Sequence, residues 1–184
     1  MEERVEFLKN AILGKKIGAV SRSSRYVIKT VLDNLKGESF HKIVEYGPGD
    51  GVLTHELLKL LSPNGKLLVV EMDKNFVEVL NRINDPRLIV IEGKMEDVSK
   101  NLSQYAFDSC DLVVSSIPFS LIDKNEREEV VKNTHKSIKQ GGKFIIFHQY
   151  SKLMQKPLEK YFKKVKWTFE PRNFFPCFIL FAEK

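Results

Sequence analysis

Three glycines and a nearby acid are the residues of this sequence whose spacing most clearly indicates chemistry. Gly47, Gly49 and Gly51 alternate in the stretch EYGPGDG, and Glu45 stands two residues before the first of them. Glycine lets the backbone approach a ligand closely because no Cβ stands in the way. The sequence has no phosphate loop G-x-x-x-x-G-K-[ST], and Val52 occupies the third glycine position of the dinucleotide fingerprint G-x-G-x-x-G. The stretch therefore predicts a ligand that is neither a nicotinamide dinucleotide nor a phosphate.

Two acids indicate the chemistry of that ligand. Glu45 ends a strand-like apolar run, where a carboxylate repels a pyrophosphate and attracts an ammonium group. Glu71 closes the next such run, and its carboxylate can accept hydrogen bonds from two ribose hydroxyls. A ligand with a cationic amino-acid end and a ribose satisfies both acids, and S-adenosylmethionine is such a ligand. The alternative is a tight strand–helix turn without a ligand, but three alternating glycines exceed what a turn needs.

The segments around these residues predict the fold that positions them. Apolar runs alternate with helix-like stretches, and continuous apolar runs favour a parallel sheet covered on both faces. This rhythm is typical of a doubly wound α/β fold. We predict strands at 42–46, 66–73, 87–93, 111–119 and 141–150, a short acidic helical segment after the third strand, and helices at about 52–62, 74–83 and 124–139.

The C-terminal part departs from this rhythm. Residues 163–171 and 176–184 are strand-like runs joined by a short loop, with no helical pattern between them. Two strands joined in this way form a hairpin, so one of them must run antiparallel to the rest of the sheet. We therefore predict a mostly parallel sheet that ends in an antiparallel hairpin.

The N-terminal part is predicted to be helical. Apolar spacing over 2–13 indicates an amphipathic helix, and a second helix is expected to run from a cap at Ser21 or Ser23 to Leu35. The chain length suits a single domain. The expected division is a helical cap at 1–36 and a Rossmann-like core at 37–184.

Composition narrows the class of protein. The chain has 184 residues, of which 42% are apolar and 29% charged, as in an ordinary soluble globular domain. No apolar run reaches the roughly 18–20 residues that cross a bilayer, and no signal-peptide core is present, so we expect a cytoplasmic protein. Cys110 and Cys177 lack metal-ligand spacing, so we expect two thiols and no metal site. The net charge of +6 favours an anionic partner, although a lysine-rich composition alone gives the same charge.

With these features in place, residues 40–184 resemble the class I S-adenosylmethionine-dependent methyltransferases. The pattern E-x-G-x-G-x-G, the acid at the end of the next strand and the terminal hairpin carry the resemblance. It implies a seven-stranded Rossmann-like sheet. Met95 is expected to pack on the adenine ring, with ordinary core packing as the alternative. The resemblance assigns cofactor binding to Glu45, Gly47, Gly49, Gly51, Glu71, Met72, Met95 and Ser115.

The segment after the fourth predicted strand bears on the methyl acceptor. It reads SSIPF at 115–119, where adenine and amine N-methyltransferases often have N-x-P-F/Y, with an Asn carbonyl that binds the target nitrogen. Ser116 takes the Asn position here. A hydroxyl cannot reproduce the acceptor-plus-donor geometry of an amide, which argues against methylation of ribosomal RNA adenine.

The whole chain resembles the small bacterial phospholipid N-methyltransferases, which methylate phosphatidylethanolamine at a membrane surface. The stretches FLKNAILGKKIGAVSRSSR, EYGPGDG, SSIPF and PRNFFPCFILF carry this resemblance. It implies an N-terminal amphipathic helix that lies on the membrane and covers the active site, with a helix that only covers one edge of the sheet as the alternative. It also implies that Tyr150, Arg172 and Asn173 face the lipid headgroup. Phe174 and Phe175 are expected to enter the acyl region, with ordinary packing as the alternative.

Methyl transfer to an ethanolamine requires an amine that has lost its proton. His148 and Tyr150 are the expected acceptors or relays, with a purely structural role as the alternative for His148, and Ser116 completes the expected catalytic set. The predicted function is methylation of an ethanolamine-type phospholipid by an enzyme peripheral to the inner face of the membrane. The alternatives are an RNA adenine methyltransferase and a non-catalytic binding protein with a methyltransferase-like fold.

Overall fold

The computed structural model describes residues 24–149, 152–173 and 176–184, with the backbone alone at 148 and 149. Within these residues, seven strands form one sheet. The strands are β1 (Phe40–Tyr46), β2 (Leu61–Glu71), β3 (Leu88–Glu92), β4 (Cys110–Ser115), β5 (Ile138–Gln149), β6 (Lys164–Glu170) and β7 (Cys177–Glu183). Their order across the sheet is β3-β2-β1-β4-β5-β7-β6.

Helices connect most of these strands. They are α1 (Arg25–Asp33), α2 (Val52–Lys59), α3 (Lys74–Leu80), α4 (Met95–Val98), α5 (Lys124–Ser137) and α6 (Gln155–Glu159), and short 3₁₀ segments cover Ser99–Tyr105 and Phe119–Leu121. Ser24 caps α1 by accepting a hydrogen bond from the backbone N–H of Val27, so the cap lies one residue after the predicted Ser23. The sequence did not predict α6, whose 5 residues are too few to show an apolar period. The helix predicted at 2–13 lies outside the described residues.

The sheet has the predicted architecture. The pairs β3–β2, β2–β1, β1–β4 and β4–β5 are parallel, whereas β7 runs antiparallel to both β5 and β6. The α/β fold with a mostly parallel sheet and a C-terminal antiparallel hairpin is therefore confirmed. Short helical crossovers join the parallel strands, as parallel pairing requires.

Two strands begin earlier than the sequence predicts. β2 starts at Leu61 because this residue pairs with Phe40, and the register then shifts before Lys42 pairs with Lys66. β5 starts at Ile138, and its pairing with β4 shifts in the same way before Lys143. The residues between the observed and the predicted strand starts are therefore irregular parts of long strands, since the neighbouring strand decides where pairing begins.

The core fills both faces of the sheet. Ile43 and Val44 are fully buried neighbours on β1, and they belong to hydrophobic clusters on opposite faces. Cys110 and Cys177 are also buried, one in each cluster. In the part of the chain that the structure describes, no helix combines the length and the apolar character needed to span a membrane.

Candidate functional site

The strand order places a ligand site at the carboxyl ends of β1 and β4. These two strands are neighbours, but β1 continues to β2 on one side of the sheet and β4 continues to β5 on the other. Open α/β sheets bind ligands at such a topological switch point. Tyr46 and Ser115 are paired in register. The glycine turn and the SSIPF segment therefore leave the sheet side by side.

The glycine turn has a backbone conformation that disfavours other residues. Gly47, Gly49 and Gly51 have φ angles of 72°, 56° and 81°. A Cβ atom on Gly47 would lie 2.7 Å from Cγ1 of Ile117, so that position excludes a side chain by space as well as by conformation. The turn thus brings backbone from β1 into close contact with the segment that follows β4.

Glu45 lies beneath this turn as a buried acid. Its side chain is 1% exposed, and the hydroxyl of Thr54 donates a hydrogen bond to Oε2 over 2.7 Å. Burial raises the pKa of Glu45 to about 8; the hydrogen bond from Thr54 lowers it in part, and the charge of Glu71 raises it further. A cationic ammonium group placed beside this carboxyl would favour its ionised form. The site therefore fits the amino-acid end of S-adenosylmethionine.

Glu71 is held by backbone donors at the end of β2. One carboxylate oxygen accepts from the N–H of Gly49 over 3.0 Å, and the other accepts from Met72 and Asp73 over 2.8 Å and 3.0 Å. A carboxylate has about four acceptor positions, so these three donors leave about one position for a ribose hydroxyl. Met72 is 68% exposed beside it and offers an apolar surface. Cofactor binding by these two residues stays a prediction.

Ser116 joins the two segments of the site. Its backbone N–H donates to the carbonyl oxygen of Tyr46 over 3.1 Å, and its hydroxyl donates a short hydrogen bond to the carbonyl oxygen of Gly47. Ser115 is fully buried, and its hydroxyl accepts from the N–H of Ile117 over 3.4 Å. Because the hydroxyl hydrogen of Ser116 is directed at Gly47, its oxygen can act only as an acceptor towards a ligand.

A comparison with protein families agrees with this geometry. The sequence profile of a family described as "Methyltransferase domain" matches residues 43–142, which is more than half of the chain. The chain belongs to this methyltransferase family. It is an enzyme that uses S-adenosylmethionine, and the matched residues include both the glycine turn and the SSIPF segment.

Known relatives of the methyltransferase differ in how much of it they match. Ornithine lipid N-methyltransferase of Singulisphaera acidiphila is 26% identical over 92% of this chain and 89% of that enzyme. Ribosomal RNA small subunit methyltransferase A of Mycoplasma capricolum is 30% identical, but over 50% of this chain and 35% of that protein. The solved structure of N-methyltransferase NodS from Bradyrhizobium japonicum superimposes with a TM-score of 0.70 at 13% identity, covering 85% of this chain and 93% of that one, which shows the shared fold.

Two predicted residues of the methyltransferase have contacts that differ from the expected ones. Met95 is 2% exposed and belongs to a core cluster, so core packing is its described environment, and its contact with adenine stays a prediction.

Arg172 binds Glu170 through two parallel hydrogen bonds, each of 2.7 Å, and its guanidinium lies 4.6 Å from the centroid of the Tyr26 ring. These bonds lower the pKa of Glu170 to about 2. Two of the five N–H donors of Arg172 are thus directed at Glu170 instead of a lipid phosphate.

Asn173 connects the loop between β6 and β7 to the start of α1. Its Oδ1 accepts a hydrogen bond from the backbone N–H of Ser24 over 3.3 Å, and its side chain is 8% exposed. Close by, the Thr30 hydroxyl donates to Glu170 over 3.3 Å. The beginning of α1 and the loop after β6 therefore meet at one place. A role of Asn173 in headgroup binding stays a prediction.

The remaining predicted residues lie partly or wholly outside the described part of the chain. The backbone of His148 is at the carboxyl end of β5, opposite Phe178, while its side chain and the whole of Tyr150 lie outside the described part. Phe174 and Phe175 also lie outside it. Among the residues described, no three His, Cys, Asp or Glu side chains gather in a way that could hold a metal ion.

Thr54, the hydrogen-bond partner of Glu45, was not among the residues predicted from the sequence. Thr54 lies on α2, three residues after Gly51, and is fully buried. A signal was present in the sequence, because a polar residue one helical turn after a ligand-binding turn faces back towards the preceding strand. Glu170 and Tyr26, the partners of Arg172, carry no such local signal.

Proposed function

We propose that the methyltransferase transfers methyl groups to the primary amine of a membrane-lipid headgroup. The observation that carries the proposal is the extent of similarity to a lipid N-methyltransferase, which covers 92% of this chain. The similarity to a ribosomal RNA methyltransferase covers 50% of the chain and 35% of that protein. A relationship over almost the full length favours the lipid acceptor, because the regions outside the shared core are the ones that differ between acceptor classes.

The geometry of Ser116 supports an aliphatic amine as the acceptor. The hydroxyl oxygen can accept a hydrogen bond from an amine N–H, while its own hydrogen is directed at the carbonyl oxygen of Gly47. An amide in this position would offer an acceptor and a donor, which suits a heterocyclic base with both kinds of group. A simple amine needs only the acceptor, which orients its lone pair towards the reacting carbon.

The reaction follows from this arrangement. S-adenosylmethionine supplies a methyl group on a sulfonium sulfur, and the neutral amine displaces the sulfur in line, so that a C–N bond forms as the C–S bond breaks. Ser116 orients the amine, and the product ammonium releases its proton before another transfer. His148 and Tyr150 are the residues that we propose to accept or relay this proton.

We propose an ethanolamine phospholipid as the headgroup, with an ornithine-type lipid as the competing source of a primary amine. Phosphate recognition would fall to Arg172, which is 61% exposed while it is paired with Glu170. Because a guanidinium has five N–H donors, a phosphate can approach it without loss of the pair. An ornithine-type headgroup would not require this contact, so the two lipids make different demands on Arg172.

The test is an assay of methyl transfer with labelled S-adenosylmethionine and three separate acceptors. These are detergent-dispersed phosphatidylethanolamine, a detergent-dispersed ornithine lipid, and a ribosomal RNA fragment that contains unmethylated adenines. We expect labelled phosphatidylethanolamine and unlabelled RNA, with mass spectrometry of the lipid counting the methyl groups added. If only the ornithine lipid is labelled, its headgroup replaces that of phosphatidylethanolamine as the proposed substrate. Label in the RNA alone would overturn the proposal.

Two serine variants make the assay more specific. Ser116→Ala removes the acceptor oxygen, so we expect a fall in kcat of about tenfold or more while cofactor binding changes little. Ser103→Ala changes an exposed serine outside the site and serves as the matched control. Equal activity of the two variants would exclude Ser116 from amine orientation.

A further inference from the structure

Aromatic side chains and a lysine gather on the outer edge of the sheet. Trp167 and Phe169, on β6, are 45% and 44% exposed. The ring of Phe178, on β7, lies 5.9 Å from that of Trp167 and 4.9 Å from that of Phe169, measured between centroids. The ammonium of Lys152 lies 3.3 Å from the centroid of Trp167 and 5.7 Å from that of Phe178. We call these four residues the aromatic edge patch.

The position of the patch is unusual for a sheet edge. β6 is the last strand of the sheet, and Phe169 pairs directly with Phe178, so their side chains share one face. Proteins normally protect such edges with charged side chains or a covering segment, because exposed apolar edges attract partners. Two exposed aromatic rings at this edge therefore indicate a surface that binds something.

The charge around the patch indicates what it binds. Residues 152–172 contain seven Lys or Arg and two Glu, whereas the whole chain has 30 Lys or Arg and 24 Asp or Glu. Three of the seven pair with acids, whereas Lys163 and Lys166 are exposed, and Lys166 precedes Trp167 in the sequence. A strongly basic segment with exposed aromatic residues complements an anionic surface that has an apolar layer beneath it.

We propose that the aromatic edge patch docks on an anionic lipid bilayer, with Trp167 and Phe169 at the level of the headgroups. Tryptophan favours this interface because its ring is apolar while its N–H is polar, and each nearby Lys adds attraction to anionic lipid. Single-stranded RNA also binds aromatic and basic surfaces by base stacking. The bilayer is favoured because Lys152 already covers a face of the Trp167 ring, which a stacking base would have to displace.

The patch and the methyl-transfer site both lie towards the carboxyl ends of the parallel strands. β6 runs parallel to β5 and ends at Glu170, so Phe169 is at the carboxyl-end side, as Ser115 is on β4. Three strand spacings separate β4 from β6, which is about 14 Å at 4.8 Å each. Docking through the patch would hold the site close to the headgroup layer. Only this closeness of the site to the headgroups rests on the proposed lipid substrate; the docking surface itself does not.

Trp167 provides a direct test because it is the only tryptophan of the chain. The full-length protein is mixed with vesicles of phosphatidylethanolamine and phosphatidylglycerol, and with vesicles whose acyl chains carry bromine. We expect the Trp167 emission to shift to shorter wavelength, to be quenched by the brominated lipid, and to recover at high salt. Unchanged emission, whether or not the protein sediments with the vesicles, would overturn the inference. A shift with RNA and none with vesicles would overturn it as well.

Variants distinguish vesicle binding through the aromatic edge patch from general hydrophobic adsorption to the vesicles. Lys152→Gln is expected to weaken vesicle binding about fivefold, which corresponds to about 1 kcal/mol for one basic residue near the surface. Phe169→Thr is expected to weaken it further while Trp167 still reports. Val79→Ala is the matched control, because Val79 is 41% exposed on α3, which packs against β3 at the opposite end of the sheet. Circular dichroism verifies that each variant is folded, and equal vesicle binding by all folded variants would contradict the inference.

The outcome also distinguishes this inference from the proposed function. Methylation of detergent-dispersed phosphatidylethanolamine with unchanged Trp167 emission on vesicles would uphold the lipid acceptor and overturn the docking surface. A shift and quenching of Trp167 on vesicles, with no methyl transfer to any lipid, would uphold the surface and overturn the acceptor.

Discussion

Oε2 of Glu71 accepts a hydrogen bond from the backbone N–H of Gly49 over 3.0 Å. This contact joins the acid at the end of β2 to the glycine turn that follows β1. The other carboxylate oxygen accepts from Met72 and Asp73, where α3 is about to begin. Glu71 therefore shapes the glycine turn in addition to its predicted hydrogen bond with a ribose.

Glu71→Ala is expected to weaken the binding of S-adenosylmethionine by about 10- to 100-fold. The substitution removes a charged hydrogen-bond acceptor, and one such bond to the ligand contributes about 1.5–3 kcal/mol. Isothermal titration calorimetry measures the change. The matched control is Glu92→Ala, because Glu92 ends β3 in register with Glu71 and its side chain is 51% exposed. An equal loss of affinity in both variants would contradict the assigned role.

Glu45 is expected to make the stability of the cofactor-free protein depend on pH. Its pKa is raised from 4.5 to about 8, mainly by burial. Between these two values the folded protein holds a proton that the unfolded chain releases, so stability falls as pH rises through this window. Glu45→Gln removes this dependence. The melting temperatures of wild type and variant, compared between pH 5 and pH 8, should diverge steadily in favour of the variant. Parallel curves would show that Glu45 is ionised in the folded protein.

Cofactor binding is expected to release a proton from Glu45 at pH 7. The ammonium of S-adenosylmethionine favours the carboxylate form, so a carboxyl that is neutral in the free protein must ionise. Calorimetry in two buffers of different ionisation enthalpy measures the proton released. Glu45→Gln should bind the cofactor more weakly and release less, which separates Glu45 from the titration of the cofactor's own amine. Identical proton release by both proteins would argue against this linkage.

Gly47→Ala is expected to destabilise the protein by about 1–3 kcal/mol more than Gly141→Ala. The two glycines have φ angles of 72° and 73°, so both substitutions impose the same backbone strain. A Cβ on Gly47 meets Ile117 at 2.7 Å, whereas nothing lies within 4 Å of one on Gly141. Urea unfolding measures the difference, and Ile117→Ala should partly rescue Gly47→Ala. Equal stability of the two glycine variants would rule out this steric contact.

Arg172→Ala is expected to lower the free energy of unfolding, because it leaves the Glu170 carboxylate without its cationic partner. The pKa of Glu170 is lowered to about 2 by the hydrogen bonds of Arg172, so this contribution is present above pH 4.5 and is lost as pH falls towards 2. Urea unfolding at pH 7 and at low pH should therefore show a cost that shrinks with acid.

Arg87→Ala is the matched control for that variant. Arg87 binds Asp85 through the same three donor atoms that Arg172 uses on Glu170, but within the loop before β3. Arg172→Ala is expected to speed hydrogen exchange in α1, because Glu170 contacts Thr30 on that helix and Arg172 stacks on Tyr26. Arg87→Ala should leave the exchange of α1 unchanged. Similar exchange of α1 in both variants would contradict a link between this loop and the helix.

The order of strands and helices was determined by the sequence itself, because apolar periodicity and turn residues act over short stretches of chain. The glycine turn with its two acids could be predicted equally well, since the spacing of Glu45 and Gly47 along the chain already indicates the chemistry of the ligand. The first residues of the strands could not be predicted as well, because Leu61 and Ile138 begin their strands through pairing with residues on neighbouring strands. The sequence pattern of one segment does not contain that information.

Only the tertiary structure decided which groups meet at the site and beside it. Ser116 donates to Gly47, and Glu170 binds both Arg172 and Thr30, a residue that lies 140 positions earlier in the chain. Folding brings such groups together through sheet order and burial, whereas local propensity acts only on near neighbours in sequence. For the same reason only the fold shows that the hydroxyl of Ser116, which stands where related enzymes have an asparagine, donates its hydrogen to the carbonyl oxygen of Gly47.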